Sequence, residues 1–203
     1  NWFRYNINKF NSKERKSLYK SITNKPTIHL QLKTSKDLNI IKEKSIKVSE
    51  TSITLLEDTI IKDIPGYQEG RWWIQDHAAT IPVKLMGNIK NKKVLDMCAA
   101  PGGKTMQLLT LGAKVTAYDI SKKRIDKMIK NLNRLNLNCE LINNDILKVN
   151  NKNKYDIVLL DAPCSAIGTI KRNPEILYRD KNPNLNLLKD IQLQLLNKAS
   201  ELL

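Results

Sequence analysis

The chain has 203 residues, of which 41% are hydrophobic, enough for one large domain or for one domain with a small companion. Its 35 Lys and Arg exceed its 20 Asp and Glu, and the net charge of +15 favours a polyanionic partner over a merely solvated basic surface. Three widely spaced cysteines without a C-x-x-C pair argue against a disulfide scaffold and against a metal site. Because no apolar run approaches the ~18 residues of a membrane span and no signal-peptide pattern is present, we expect a soluble, cytoplasmic protein.

The first 70 residues contain short patterns of both secondary-structure types. Residues 1–25 are polar and basic and predict one helix, at 12–22. The following segment, 26–70, predicts a small α+β unit that ends near a Pro-Gly turn. Its predicted elements are strands at 27–33, 46–48 and 53–56 and a helix at 35–44 with Ser35 as N-cap.

From residue 71 onward, strand and helix patterns alternate. The predicted strands are 72–74, 93–96, 114–119, 140–142 and 155–160. The predicted helices are 75–85 with an interruption at Pro82, 104–111, a long helix capped by Ser121, and a helix from 185 onward, and 150–154 is a polar loop. Repeated βαβ units predict an α/β fold with a parallel, doubly wound sheet. The first residue is not Met and the last residues lie inside an apolar helical pattern, so we expect a fragment.

One loop has the pattern of a ligand-binding turn. A strand that ends in Asp96 runs into a Pro-Gly-Gly turn and then into a helical pattern. This arrangement holds nucleotide-like ligands at the edge of parallel sheets. The residues of the loop and of the helix start are Cys98, Ala99, Ala100, Pro101, Gly102, Gly103 and Lys104.

The acids near this loop discriminate between ligand classes. The dinucleotide pattern G-x-G-x-x-G is absent, and a phosphate-binding P-loop would need glycine where Cys98 stands. Asp119 ends the following strand, where a carboxylate can accept ribose hydroxyls, and Asp145 follows the next strand. A triphosphate would be repelled by Asp96, Asp119 and Asp145, whereas the cationic sulfonium of S-adenosylmethionine would not. The acids therefore predict S-adenosylmethionine as the ligand.

A second motif, Asp-Ala-Pro-Cys-Ser, predicts a chemical step. Asp161 ends a buried-type strand, and Cys164 follows in the Pro-containing loop at the same sheet edge. Methylation at C5 of cytosine requires a thiolate to add at C6, because C5 alone is too weak a nucleophile. Asp161 is the candidate acid near N3 of that base.

At these residues the chain resembles the Sun-type RNA cytosine-5 methyltransferases, especially the bacterial members that act on small-subunit ribosomal RNA. The matching pieces are Gln75-Asp76, 94–105, 117–120, Asp145, 161–165 and 168–176. The resemblance implies a Rossmann-like methyltransferase domain over 71–203, incomplete at its carboxyl end. It also implies a small RNA-binding α+β subdomain over 26–70 and a helical linker remnant over 1–25.

The resemblance also implies roles for single residues. Cys98 to Lys104, Asp119, Asp145 and Asp161 would bind S-adenosylmethionine. The family's nucleophile lies in a Thr-Cys motif on the next strand, which these 203 residues lack, and Cys164 matches the cysteine that assists product release.

For RNA binding, Lys171 and Arg172 follow the chemistry loop and are candidates to hold phosphates. We expect a monomer that acts on RNA. Two alternatives remain open: a P-loop-like NTPase that binds ATP with magnesium, and a catalytically inactive RNA-binding module.

Overall fold

The computed structural model describes residues 2–41, 45–56, 59–150, 154–179 and 183–203, with side chains from residue 5 onward. The described helices are α1 Trp2–Ile7, α2 Ser12–Thr23, α3 Leu38–Ile41, α4 His77–Lys84, α5 Gly103–Thr110, α6 Lys122–Arg134 and α7 Leu185–Leu202. The described strands are β1 His29–Leu32, β2 Ser45–Lys47, β3 Ser52–Leu55, β4 Trp72–Ile74, β5 Lys93–Met97, β6 Lys114–Asp119, β7 Glu140–Asn143 and β8 Ile157–Leu160. In this part of the chain no helix has both the length and the apolarity to cross a membrane.

Contacts divide the chain into two compact units. The first unit combines Asn1–Pro26 with Pro163–Leu193, and the second combines Thr27–Ala162 with Gln194–Leu203. The association of the first 26 residues with a segment far along the chain was not predicted from the sequence. Short polar segments carry no periodicity that identifies a distant partner, so only the folded contacts reveal it.

The first unit contains the two amino-terminal helices. A capping box starts α2: the Asn11 side chain accepts from the Glu14 amide at 2.9 Å, and Glu14 accepts from the Asn11 amide at 2.9 Å. The predicted helix at 12–22 is thereby confirmed. Helix α1 contacts the 3-10 helix Pro174–Tyr178, which follows the predicted RNA-binding pair in the sequence.

The second unit contains an antiparallel sheet in the order β2-β3-β1-β4. Strand β4 belongs to this sheet, because it pairs antiparallel with β1 through Leu30↔Ile74 and Gln31↔Trp73. The sequence analysis instead grouped this strand with the later βαβ units. Successive side chains of a strand face opposite sides, so Trp72 packs into the small core of this sheet and Trp73 into the core of the parallel sheet.

The helix predicted over 35–44 differs in the structure. Residues Ser35–Asp37 form a 3-10 turn, α3 covers four residues, and 42–44 lie outside the described part. The prediction of Ser35 as N-cap is wrong, because Thr34 occupies that position. The Asp37 carboxylate accepts from both the amide and the hydroxyl of Thr34 at 2.9 Å, which tightens the first turn.

The parallel sheet has the order β7-β6-β5-β8, which confirms the predicted doubly wound α/β fold. Helix α6 buries Ile125, Met128 and Leu132 against it, at the spacing expected for one helical face. Strands β6 and β7 lie on one side of β5, and β8 lies on the other side. The side on which successive strands are added therefore switches at β5. Doubly wound sheets bind ligands at the carboxyl edge of such a switch point.

Candidate active site

The loop after β5 is a compact turn held by backbone bonds. Cys98 and Gly102 have positive φ values of 60° and 102°. The Ala99 amide donates to the Tyr118 carbonyl at 2.8 Å, and the Gly102 amide donates to the Ala99 carbonyl at 2.9 Å. A Cβ on Gly102 would lie 2.8 Å from Cγ of Met128, so this position requires glycine for both conformation and space.

Asp119, at the end of β6, is tied to this loop. Its side chain is 1% exposed, and Oδ2 accepts from the Ala100 amide at 3.0 Å. Oδ1 accepts from the Ser121 amide at 2.8 Å. Ser121 occupies the predicted N-cap position of α6 but forms no side-chain capping bond, while its backbone amide donates to the Asp119 carboxylate.

Arg124 is a site residue that sequence reasoning missed. Its Nη2 donates to Oδ2 of Asp119, and its side chain is 51% exposed. The signal was present in the sequence, since an arginine in the first turn of the helix after an acid-ended strand can fold back onto that acid. The guanidinium covers the Asp119 carboxylate from the solvent side.

Asp96, at the carboxyl end of β5, is a buried carboxyl. Its Oδ2 accepts from the Thr105 hydroxyl at 2.6 Å. Within the described residues, Oδ1 is buried without a hydrogen-bond partner. Burial raises the pKa of Asp96 to about 7, while the Thr105 bond and Lys104 oppose the rise and Asp161 and Asp119 add to it.

Lys104 and Asp161 bring the two sequence motifs together. Lys104 lies in the first turn of α5 and Asp161 follows β8, and the distance between Nζ and Oδ2 is 2.6 Å. The pair therefore lies at the switch point between β5 and β8. The negative charges of Asp161 and Asp119 raise the pKa of Asp96, and the positive charge of Lys104 lowers it. Lys104 therefore offsets a concentration of negative charge at this edge.

Asp145 follows β7 on the far side of β6. Its Oδ1 accepts from the Leu147 amide at 3.1 Å and so caps the 3-10 helix Ile146–Lys148. Two residues earlier, the Asn143 side chain donates to the Asp119 carbonyl at 2.9 Å. The predicted position of Asp145 after the third strand of the series is confirmed, and its bond to Leu147 gives it a local structural role.

Gln75 fixes the start of α5 from the neighbouring sheet. Its Oε1 accepts from the Trp73 indole at 2.7 Å, and its Nε2 donates to the Gln107 side chain at 3.3 Å. A Cβ on Gly103 would lie 3.5 Å from Cδ of Gln75, an ordinary contact. Gln75 is therefore a polar neighbour of Gly103, the first residue of α5, and is held by its hydrogen bonds to Trp73 and Gln107.

The three cysteines differ in their surroundings. Burial, with Asp119 as the next cause, raises the pKa of Cys98 to about 11, and burial raises the pKa of Cys139 to about 11. Cys164 is exposed and belongs to the first unit, and its Sγ accepts from the Ala166 amide at 3.4 Å. Lys171, half-buried, and Arg172, exposed, belong to the same unit.

The fold and this edge define the class of the protein. A parallel sheet in this order, with a glycine turn after its first strand and acids after its neighbours, is a Rossmann-like methyltransferase fold. A solved methyltransferase homologue from Pyrococcus horikoshii superimposes with a TM-score of 0.74 over 90% of this chain and 63% of its own, at 25% identity. The structure of NSun6 from Pyrococcus horikoshii with SFG shows the same fold, with a TM-score of 0.81, 17% identity and coverage of 99% of this chain and 79% of its own.

Sequence comparison identifies the family. The family model described as 16S rRNA methyltransferase RsmB/F matches residues 84–203, and the chain belongs to this family. Ribosomal RNA small subunit methyltransferase B of Shewanella oneidensis is 37% identical over 158 residues, covering 75% of this chain and 37% of the relative. The enzyme of the same name from Proteus mirabilis is 37% identical over 139 residues, covering 66% of this chain and 33% of the relative. The chain thus spans about a third of the length of these curated relatives.

Proposed function

We propose that the edge formed by Cys98 to Lys104, Asp119, Asp145 and Asp161 binds S-adenosylmethionine. Buried and clustered carboxylates suit a ligand that carries a sulfonium and an ammonium group. There is no space for a Cβ at Gly102, so the backbone of the turn lies close to its neighbours. Oδ1 of Asp96 is buried without a hydrogen-bond partner among the described residues and belongs to the same group of acids. The single observation that supports the proposal most is this acid-lined glycine turn at the switch point.

Asp119 is the proposed partner of the ribose hydroxyls. Three of its roughly four acceptor positions are filled by the Ala100 amide, the Ser121 amide and Arg124. Both hydroxyls can be accepted only when the exposed Arg124 side chain swings outward. Asp119 therefore also positions the loop before any ligand arrives, because two of its partners are backbone amides.

We infer that the acceptor is C5 of a cytosine in RNA, most specifically small-subunit ribosomal RNA. Membership in the family, the names of the relatives and the excess positive charge of the chain support RNA as substrate. When bound, S-adenosylmethionine supplies an electrophilic methyl group. The protein's part at C5 is to hold the base, to provide a thiolate for C6 and to remove the C5 proton.

Within this scheme we assign Cys164 to product release. After a thiolate has added to C6 and C5 has gained the methyl group, a base removes the C5 proton. The freed electron pair restores the C5–C6 double bond, and the C6–S bond breaks with return of the thiolate. Cys164 is exposed in the D-A-P-C loop and can assist this proton loss, and Asp161 is the proposed acid at N3. Lys171 and Arg172 are the proposed phosphate contacts.

The assay for this proposal uses methyl-labelled S-adenosylmethionine and a transcript of small-subunit ribosomal RNA, followed by digestion to nucleosides. A longer protein that carries this chain and a Thr-Cys motif is expected to yield labelled 5-methylcytidine. The chain alone is expected to bind the ligand without transfer, because Cys98 and Cys139 are held as thiols and Cys164 is assigned to release. Label in any nucleoside other than 5-methylcytidine would overturn the assignment of the acceptor.

A further inference from the structure

The first unit carries a concentration of positive charge. Its two segments contain twelve Lys and Arg against four Asp and Glu, so this unit holds +8 of the chain's +15. Six of those charges come from the first 26 residues, where seven Lys and Arg face one acid. Charge of this density is not explained by the acid-lined edge, whose residues belong to the second unit.

Exposed aromatic side chains occur among these charges. Tyr5 is 69% exposed, Phe10 47% and Tyr19 49%. The ammonium of Lys9 lies 4.8 Å from the centre of the Tyr5 ring. By contrast, Trp72 and Trp73 are buried and cannot stack on bases.

Helix α2 carries half-buried apolar side chains and exposed aromatic and basic ones. Leu18 and Ile22, one turn apart, are half-buried and provide the packing face. Lys16, Tyr19 and Lys20 are exposed, and Lys16 neighbours both Tyr19 and Lys20, since residues three and four positions apart are neighbours on a helix. The exposed aromatic ring therefore has a cation as a direct neighbour on the helix surface.

We propose that the exposed aromatic and basic side chains of the amino-terminal segment, Tyr5, Lys9, Phe10, Lys16, Tyr19 and Lys20, bind a single-stranded segment of the RNA substrate. Lysines would hold the phosphates, and the rings would stack on successive bases. A single strand is specified because the bases of a helical duplex are already stacked and offer no free face. This inference rests on the proposed RNA substrate and names the part of the chain that holds it. Lys171 and Arg172 belong to the same unit.

A membrane surface would favour a different arrangement. Helices that bind membranes place aromatic and apolar residues on one face and cations on the other. In α2 the exposed ring lies beside a cation, while the apolar Leu18 and Ile22 are half-buried and so are not free to enter a membrane. The 12 residues of α2 also give that apolar face only a small area.

The experiment measures binding of the full chain to a fluorescently labelled, unstructured oligouridine by anisotropy, across a range of salt concentrations. Tyr19→Ala should weaken binding about five- to a hundredfold, the range for loss of one stacked base, while Tyr19→Phe should bind like the parent. Lys16→Glu with Lys20→Glu should lower the slope of log K against log salt by about 1.4, because each phosphate contact on a single strand contributes about 0.7.

The matched control is Lys127→Glu with Lys130→Glu, which changes the same charge on the exposed side of α6. This pair should leave the salt slope within about 0.3 of the parent value, since it removes no phosphate contact. Equal losses in the α2 and α6 variants would overturn the proposal, because binding would then follow net charge alone. Binding of the chain to phosphatidylserine vesicles but not to oligouridine, or equal affinity for a duplex, would also overturn it.

Calorimetry with S-adenosylmethionine on the same samples separates this inference from the proposed function. The α2 variants should bind that ligand as the parent does, because none of the substituted residues is among those that form the acid-lined edge. Loss of RNA binding by Tyr19→Ala with intact ligand binding supports the inference. Unchanged RNA affinity in Tyr19→Ala and in the α2 charge variant contradicts it, even where S-adenosylmethionine binds as proposed.

Discussion

The ammonium of Lys104 lies 2.6 Å from the carboxylate of Asp161, and this ion pair joins two motifs that stand 57 residues apart. One residue starts α5 after the glycine turn, and the other follows β8 immediately before the Pro-Cys loop. Parallel pairing of β5 with β8 places their carboxyl ends side by side, so the contact is a consequence of the sheet order. The pair links the proposed ligand edge to the segment that leads to Cys164.

The two glycines of the turn should respond differently to alanine. Gly102→Ala should destabilise the fold by about 2 kcal/mol or more, because a Cβ there meets Met128 at 2.8 Å on a backbone with φ of 102°. Gly103→Ala is the matched control and should change stability by less than about 0.5 kcal/mol, since its nearest contacts are ordinary. Urea unfolding measures both. Equal stability of the two variants would show that the turn is not constrained as described.

Stability should also depend on the protonation of Asp96. Its pKa is about 7 in the folded chain against an ordinary 3.8, so folding takes up a proton between these values. Stability contributed by this group is therefore present below about pH 4 and is lost as the pH rises towards 7, by at most a few kcal/mol at about 1.4 kcal/mol per unit.

The substitution Asp96→Asn removes this titration while keeping an acceptor for Thr105. Urea unfolding at about pH 5 and about pH 8 should show a smaller loss of stability for the Asn variant than for the parent. At the higher pH the variant should be at least as stable as the parent. A parent whose stability rises over this range relative to the variant would show that Asp96 is ionised in the fold.

Thiol alkylation should distinguish the cysteines. With pKa values of about 11, Cys98 and Cys139 carry about a hundredfold less thiolate than an ordinary thiol, and both are half-buried. Iodoacetamide in mildly alkaline buffer should therefore modify the exposed Cys164 first. Peptide mass spectrometry over a time course measures each rate, and Cys164→Ala identifies its peptide. Modification of Cys98 as fast as Cys164 would contradict the half-burial and the raised pKa of Cys98.

The parallel sheet and its glycine turn were predictable because they leave local signals. Apolar runs that end in Asp96, Asp119 and Asp161 identify strand ends, and the Pro-Gly-Gly turn identifies the loop. The pairing of β4 was not predictable, because Trp72-Trp73-Ile74 is apolar on both faces and serves two cores at once. Arg124 was missed although its signal is local: it lies in the first turn of the helix that follows the strand ending in Asp119.

Titration calorimetry of the chain measures whether the edge around the glycine turn binds S-adenosylmethionine. We expect saturable binding of S-adenosylmethionine without magnesium. We also expect a loss of about 1–3 kcal/mol in Asp119→Ala, the cost of leaving polar partners unpaired. The Lys127→Glu with Lys130→Glu variant serves as the folded control. Magnesium-dependent binding of ATP with no response to S-adenosylmethionine would contradict this expectation and favour an NTPase.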